Sequence, residues 1–121
     1  MSHILQIKSE LKCVPSIENA CDRLGLEQPV SGTHQMFSSQ TATGLAVKFP
    51  NWHYPIVINP ETGAVEYDNY NGSWGDQSEL DKFLQAYAVE KATYEAQVAG
   101  YSVYEETLED GSIKLTVDMG E

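Results

Sequence analysis

The residues whose types and spacing could do chemistry are few, and the strongest set is aromatic: Asn51-Trp52-His53-Tyr54, followed by Tyr70 and Trp74. Trp and Tyr outside regular elements favour binding, because a rigid amphipathic ring offers much contact area at little entropic cost. With Lys48 or His53 as polar partner, these rings suit a protein segment or a flat, nucleotide-like molecule. The same rings would also serve as packing against a helix. Other constellations are weaker. His3, His34 and His53 lie far apart, without a His-Glu-x-x-His or a closely spaced Cys/His set, so no zinc site is expected. Asp68, Asn69, Asn71, Gly72, Asp76 and Glu79 hint at calcium, but setting Gly72 at the turn position of an EF-hand puts Tyr67 first and Ser78 last. Neither residue serves the ligand role there. Cys13 and Cys21 are eight apart, neither a redox pair nor a disulfide framework. The chain has no Gly-x-Ser-x-Gly elbow and no phosphate-binding glycine loop. No catalytic residue, metal or cofactor is assigned.

These residues need elements to position them, and hydrophobic periodicity supplies the elements. Ile4, Leu5 and Ile7 open a short β-like run that Val14-Pro15-Ser16 punctuates. Ile17, Ala20, Cys21 and Leu24 follow at the spacing of one helical face, and Gly25 supplies a left-handed stop. Cys21 therefore reads as core packing, and a buried thiol is a poor nucleophile. The polar stretch Gln28 to Thr43 is expected to be a long loop or an edge strand. Leu45, Val47 and Phe49 alternate with Ala46 and Lys48 as a strand does, and Pro50-Asn51 closes it. Tyr54 to Ile58 makes the next strand. The turn Asn59-Pro60-Glu61-Thr62-Gly63 returns the chain into Ala64 to Tyr67, before the loop Asp68 to Gly75. In that hairpin Trp52-Tyr54 and Tyr67-Tyr70 meet at one end, so the aromatic residues should cluster.

The last third carries the longest helix. Asp76 with Glu79 forms a capping box, and Leu80, Leu84, Tyr87, Lys91, Tyr94 and Val98 repeat in steps of four and three, with Phe83 widening the stripe. One face of this helix is expected to bury against the sheet. Lys91 would lay its stem on apolar surface and carry its ammonium to water, beside Glu90 or Glu95. After Gly100 a hairpin closes at Asp110-Gly111. A type I turn with Gly111 in the left-handed bulge position sets Glu106 opposite Lys114 and puts Val103, Ile113, Leu115 and Val117 on one face. Glu105 then needs a place near the sheet margin. The pattern predicts one α+β domain over 1–121, a mainly antiparallel sheet of about five or six strands with two helices packed on it, in the order β-α-β-β-β-α-β-β.

Length and charge narrow the function classes. One core suits 121 residues, 41% of them apolar, and no apolar run approaches the length that spans a bilayer. The start, Met1-Ser2-His3-Ile4, lacks the charged and apolar regions of a secretory signal, so a cytoplasmic protein is expected, with Cys13 and Cys21 reduced. Seven basic and eighteen acidic residues give a net charge of −11. Through Ile58, Glu10, Glu18, Asp22 and Glu27 balance Lys8, Lys12, Arg23 and Lys48; beyond it, fourteen acids face only Lys82, Lys91 and Lys114. That field opposes phosphate and nucleic acid, and it favours a basic partner or simple solubility.

Met-Ser-His-Ile with Ile7-Lys8-Ser9, the Leu24-Gly25 stop, Gly44-Leu45, Tyr54-Pro55-Ile56-Val57, Phe83-Leu84-Gln85-Ala86-Tyr87, Gly100-Tyr101-Ser102-Val103 and Asp110-Gly111-Ser112-Ile113-Lys114-Leu115 together resemble one family. It is the family known as domain of unknown function 1257, which includes the plastid-encoded hypothetical chloroplast open reading frame 35. The resemblance spans most of the chain and departs from it in Gln28 to Thr43, in the loop after Tyr67 and in the acidic end at Asp118. It implies a small intracellular α+β protein of cyanobacterial, plastid (stromal) or phage-related kind, with no activity to carry over. The function expected is a non-catalytic accessory protein that docks a basic-faced partner through its acidic helix-hairpin half and an aromatic loop patch of Trp52, His53, Tyr54, Tyr70, Trp74 and Lys48. A sequestering protein for a small nucleotide-like molecule is the alternative, and an enzyme of unrecognised type a third.

Overall fold

The computed structural model describes residues 5–8, 10–36, 39–68 and 73–119. The elements run β1 (Leu5–Lys8), α1 (Val14–Arg23), β2 (Val30–Gln35), β3 (Thr41–Val47), β4 (Ile56–Asn59), β5 (Ala64–Tyr67), α2 (Gln77–Val98), β6 (Ser102–Thr107) and β7 (Ile113–Asp118). Strands β1 to β5 form one antiparallel sheet in the order β1-β5-β4-β3-β2, and among the described residues β6 pairs only with β7. The chain is an α+β domain, as the pattern predicts, with two refinements. The polar stretch after Gln28 supplies the edge strand β2 and the start of β3. The C-terminal hairpin stands apart from the main sheet.

Alternation along the strands shows why both helices share one face. Val47, Ile56, Ile58, Val65 and Tyr67 meet Ile17, Cys21, Leu80, Phe83 and Tyr87 in the main core, while Ala42, Ala46, Val57 and Met36 form a small cluster on the opposite face. On β2 the residues of the helix-facing side, Ser31, Thr33 and Gln35, are exposed, so the helices do not cover this strand. Its polarity follows from that position.

Helix α1 begins earlier than Val14-Pro15-Ser16 suggests. Pro15 sits inside the first turn, where a missing N–H costs nothing and the fixed φ fits the helix. The N–H of Cys13, at the cap, donates to the Tyr87 hydroxyl at 3.1 Å, and that hydroxyl donates to the Glu10 carbonyl at 3.1 Å. One phenol on α2 thus satisfies two backbone groups at the entry to α1. Both helices end in the same way. Leu26 N–H reaches the Cys21 carbonyl across Gly25, and Tyr101 N–H reaches the Ala96 carbonyl across Gly100, each glycine in the left-handed region.

Two expectations for α2 need correction. Asp76 does accept from the Ser78 N–H at 2.9 Å, but the Glu79 carboxylate does not return to close the capping box; its Oε2 is buried with no hydrogen-bond partner among the described residues. The apolar stripe also fails to stay covered. Leu80, Phe83 and Tyr87 are buried, whereas Tyr94 is 43% and Val98 is 73% exposed. At 1.5 Å per residue, α2 extends roughly 33 Å, and the four-residue strands β4 and β5 span only about 13 Å. The helix outruns the sheet, and its later turns meet the hairpin instead.

Candidate functional site

The hairpin is held to the body by charge. Its register is the one favoured by the turn chemistry, with Glu106 opposite Lys114 and Gly111 at φ +88°. That register strands Glu105 opposite Leu115, and Arg23, the only arginine in the chain, answers it. Arg23 Nη1 and Nη2 donate to the two Glu105 oxygens at 2.9 and 2.7 Å, and Nε donates to Glu90 at 2.9 Å. The hydrogen bonds from Arg23 hold the Glu105 carboxyl below the usual glutamate range, against an opposing effect of burial and with a lesser contribution from the Arg23 charge. Arg23 is raised in turn, chiefly by its bond to Glu105. Gln85 adds a bond to the Gly111 carbonyl at 3.3 Å, and Lys91 lies 3.8 Å from Glu95, as its position implies.

An isolated two-stranded hairpin is marginal in water, so this clasp matters more locally than globally. Arg23→Met should cost only about 1 kcal/mol of global stability, because the partners are partly exposed and solvent-screened. Amide-exchange protection in Val103–Val117 should nevertheless fall to that of a frayed segment. The same loss is expected on acidification. Because the folded Glu105 carboxyl lies below its unfolded counterpart, the clasp is intact above the usual glutamate range and is lost as pH falls through the depressed folded value. Exchange rates in β6 and β7 that ignore both Arg23→Met and acid would rule the clasp out.

The loop from Lys48 to Pro55 carries most of the aromatic residues singled out in the sequence, and the structure divides them. Trp52 is 8% exposed and belongs to the core. Its ring lies edge-on to Phe49 at 5.3 Å and tilted against Tyr67 at 5.9 Å, and its N–H donates to the Asp76 carbonyl at 3.2 Å. Gly75 lies directly on the indole face. His53 and Tyr54 remain at the surface, each with its ring edge-on to Trp74, at 5.8 and 5.6 Å; the His53 N–H donates to the Trp74 carbonyl at 2.9 Å. Tyr70 lies outside the described residues, as do His3, Asn69, Asn71 and Gly72. Of the expected meeting of Trp52-Tyr54 with Tyr67-Tyr70 at one end of the β4–β5 hairpin, the contact between Trp52 and Tyr67 is seen.

Lys48, His53 and Tyr54 rim a half-open cleft of about 400 Å³ whose apolar surface comes from Leu26, Phe49, Pro50, Trp52 and Pro55. The turn after α1, Gly25 to Glu27, forms its other bank. No signal in the sequence joined that turn to the Lys48–Pro55 loop, because only the helix packing brings them together.

Among the described residues no group of three His, Cys, Asp or Glu side chains is placed to hold a metal ion. His34 Nε2 lies 2.9 Å from the Val30 carbonyl, within its own strand. Cys13 and Cys21 are free thiols; burial, and then the charges of Asp22 and Glu18, push Cys21 up to about 11, which leaves it protonated at neutral pH. Among the described residues no helix is long and apolar enough to cross a membrane. The fold and these surfaces define the chain as a two-layer α+β domain with an appended acidic hairpin. No family model, curated protein or solved structure matches the chain.

Proposed function

We propose that this chain is a non-catalytic binding protein that docks a basic-faced protein partner on its α2–hairpin half. One observation carries the reading: apolar side chains are left uncovered there within a one-sided field of acid. Tyr94 and Val98 are exposed on α2, and Tyr104, Val117 and Met119 are exposed on the hairpin and just beyond it. Ser102 pairs with Asp118, so Val117 and Met119 lie at the end of the hairpin where the chain leaves α2, the end that also carries Val98. From Asp76 to Met119 ten acids meet three lysines. Apolar contact within such a field suits a partner with an apolar centre and a lysine- or arginine-rich rim.

The resemblance to the domain of unknown function 1257 family carries no activity of its own, since the shared residues are structural ones. A cytoplasmic or stromal setting belongs to the same proposal. The test uses the partner retained by the intact chain at low ionic strength. Its affinity should drop about tenfold or more as salt rises toward 0.5 M, and again in the double variant Tyr94→Ser, Val98→Ser. Retention unaffected by either change would remove the α2–hairpin surface from the account.

A further inference from the structure

The cleft between the Gly25–Glu27 turn and the Lys48–Pro55 loop lies outside the surface proposed for the partner, and it has the attributes of a small-molecule site. Its volume of about 400 Å³ falls within the range of ligand pockets, and ring and aliphatic side chains line it. Three polar groups on its rim are unspent: the Lys48 ammonium, the His53 imidazole and the Tyr54 hydroxyl make no hydrogen bond or ion pair among the described residues. Two of them share a neighbour. The His53 and Tyr54 rings both lie edge-on to Trp74, and the His53 backbone N–H donates to the Trp74 carbonyl, which limits the freedom a ligand would have to quench.

The cleft also continues. A second depression of about 290 Å³ shares Leu26, Phe49 and Pro50 with it and reaches Glu79 and Lys82 on the first turns of α2. Glu79 lines this second depression, and its Oε2 is buried with no hydrogen-bond partner among the described residues.

Charge sets the class of ligand. Lys48 is the permanent cation on the rim of the larger cleft, with Glu27 nearby and a net charge of −11 on the whole chain. One anionic group is accommodated, and a polyphosphate is repelled. We propose that this cleft binds a small planar aromatic molecule bearing a single negative charge, its ring over Phe49, Pro50 and the exposed margin of Trp52 and its anion at Lys48 and His53.

Matched pairs of probes decide it: benzoate, nicotinate and indole-3-acetate, each against its neutral amide, titrated into the full chain and followed by amide and indole N–H shifts. The acids should move the signals of Lys48–Tyr54 and the Trp52 indole N–H, with at least one binding about tenfold more tightly than its amide. Lys48→Met should weaken that acid about tenfold and leave its amide unchanged, while Lys114→Met on the hairpin should alter neither. Shifts that no acid produces at millimolar concentration, or that acid and amide produce equally with and without Lys48, would overturn the proposal. Neither result bears on the partner surface, which carries its own substitutions.

Discussion

Gly75→Ala should destabilise the protein by about 3 kcal/mol and reshape the cleft at the same time. A Cβ at this position would lie 2.3 to 2.5 Å from Cδ2, Cε2 and Cγ of Trp52, inside the repulsive wall of an aromatic ring. A flexible side chain at the surface would move aside. Trp52 has nowhere to go, because Phe49 and Tyr67 pack against it and its N–H is anchored on the Asp76 carbonyl. Displacing the indole also costs its N–H the bond to the Asp76 carbonyl, which keeps its bond from the Glu79 N–H, and adds about 1 kcal/mol to the overpacking itself. A fall in the urea midpoint, with unchanged slope and a red-shifted tryptophan emission, is the expected signature. A loss under about 1 kcal/mol would mean that the indole yields more easily than this packing allows.

Gly44→Ala should cost at least as much, roughly 3 to 4 kcal/mol, and for a different reason. Its Cβ would meet backbone: the Ile58 carbonyl oxygen at 2.3 Å and its carbon at 3.0 Å, with φ at +153°. Ile58 cannot retreat, since it is fully buried and paired with Leu45 on one side and Val65 on the other. Gly25→Ala provides the contrast. Its φ of +70° is also left-handed, but nothing lies within 4 Å of the added carbon, so only the conformational penalty of about 1 kcal/mol applies. Equal losses at Gly44 and Gly25, measured by denaturant unfolding, would show that steric contact with β4 is not what requires glycine.

These glycines, with Gly100, illustrate what local chemistry reveals. Gly25 and Gly100 are readable as helix stops because the left-handed conformation is a property of a few consecutive residues. Gly44 and Gly75 are not readable in that way, because the atoms they admit, Ile58 O and the Trp52 ring, come from distant parts of the chain. The candidate site divides along the same line. Lys48, His53, Tyr54 and Trp74 are polar or aromatic residues in a loop and stand out by type. Gly25, Leu26, Glu27, Pro50 and Glu79 acquire a role only when α1, α2 and the β3–β4 connection converge. Trp52 stands out by type as well, yet its main role is in the core.

From its sequence alone this protein is an acidic α+β chain with two helices, a β meander and a C-terminal hairpin of defined register. Periods of 3.6 and 2, together with Gly and Asp at turns, act over a few residues and need no tertiary partner. Tertiary structure alone decided which part of α2 is covered and what holds the hairpin. A 22-residue helix on four-residue strands must overhang, and that overhang leaves Tyr94 and Val98 open. The stranded Glu105 found its counter-charge in Arg23, far away in sequence, because packing of α1 on α2 delivers the guanidinium to that spot. Local rules act through bonds between near neighbours, whereas coverage and ion pairing depend on the lengths and crossing of elements that meet only in the folded chain.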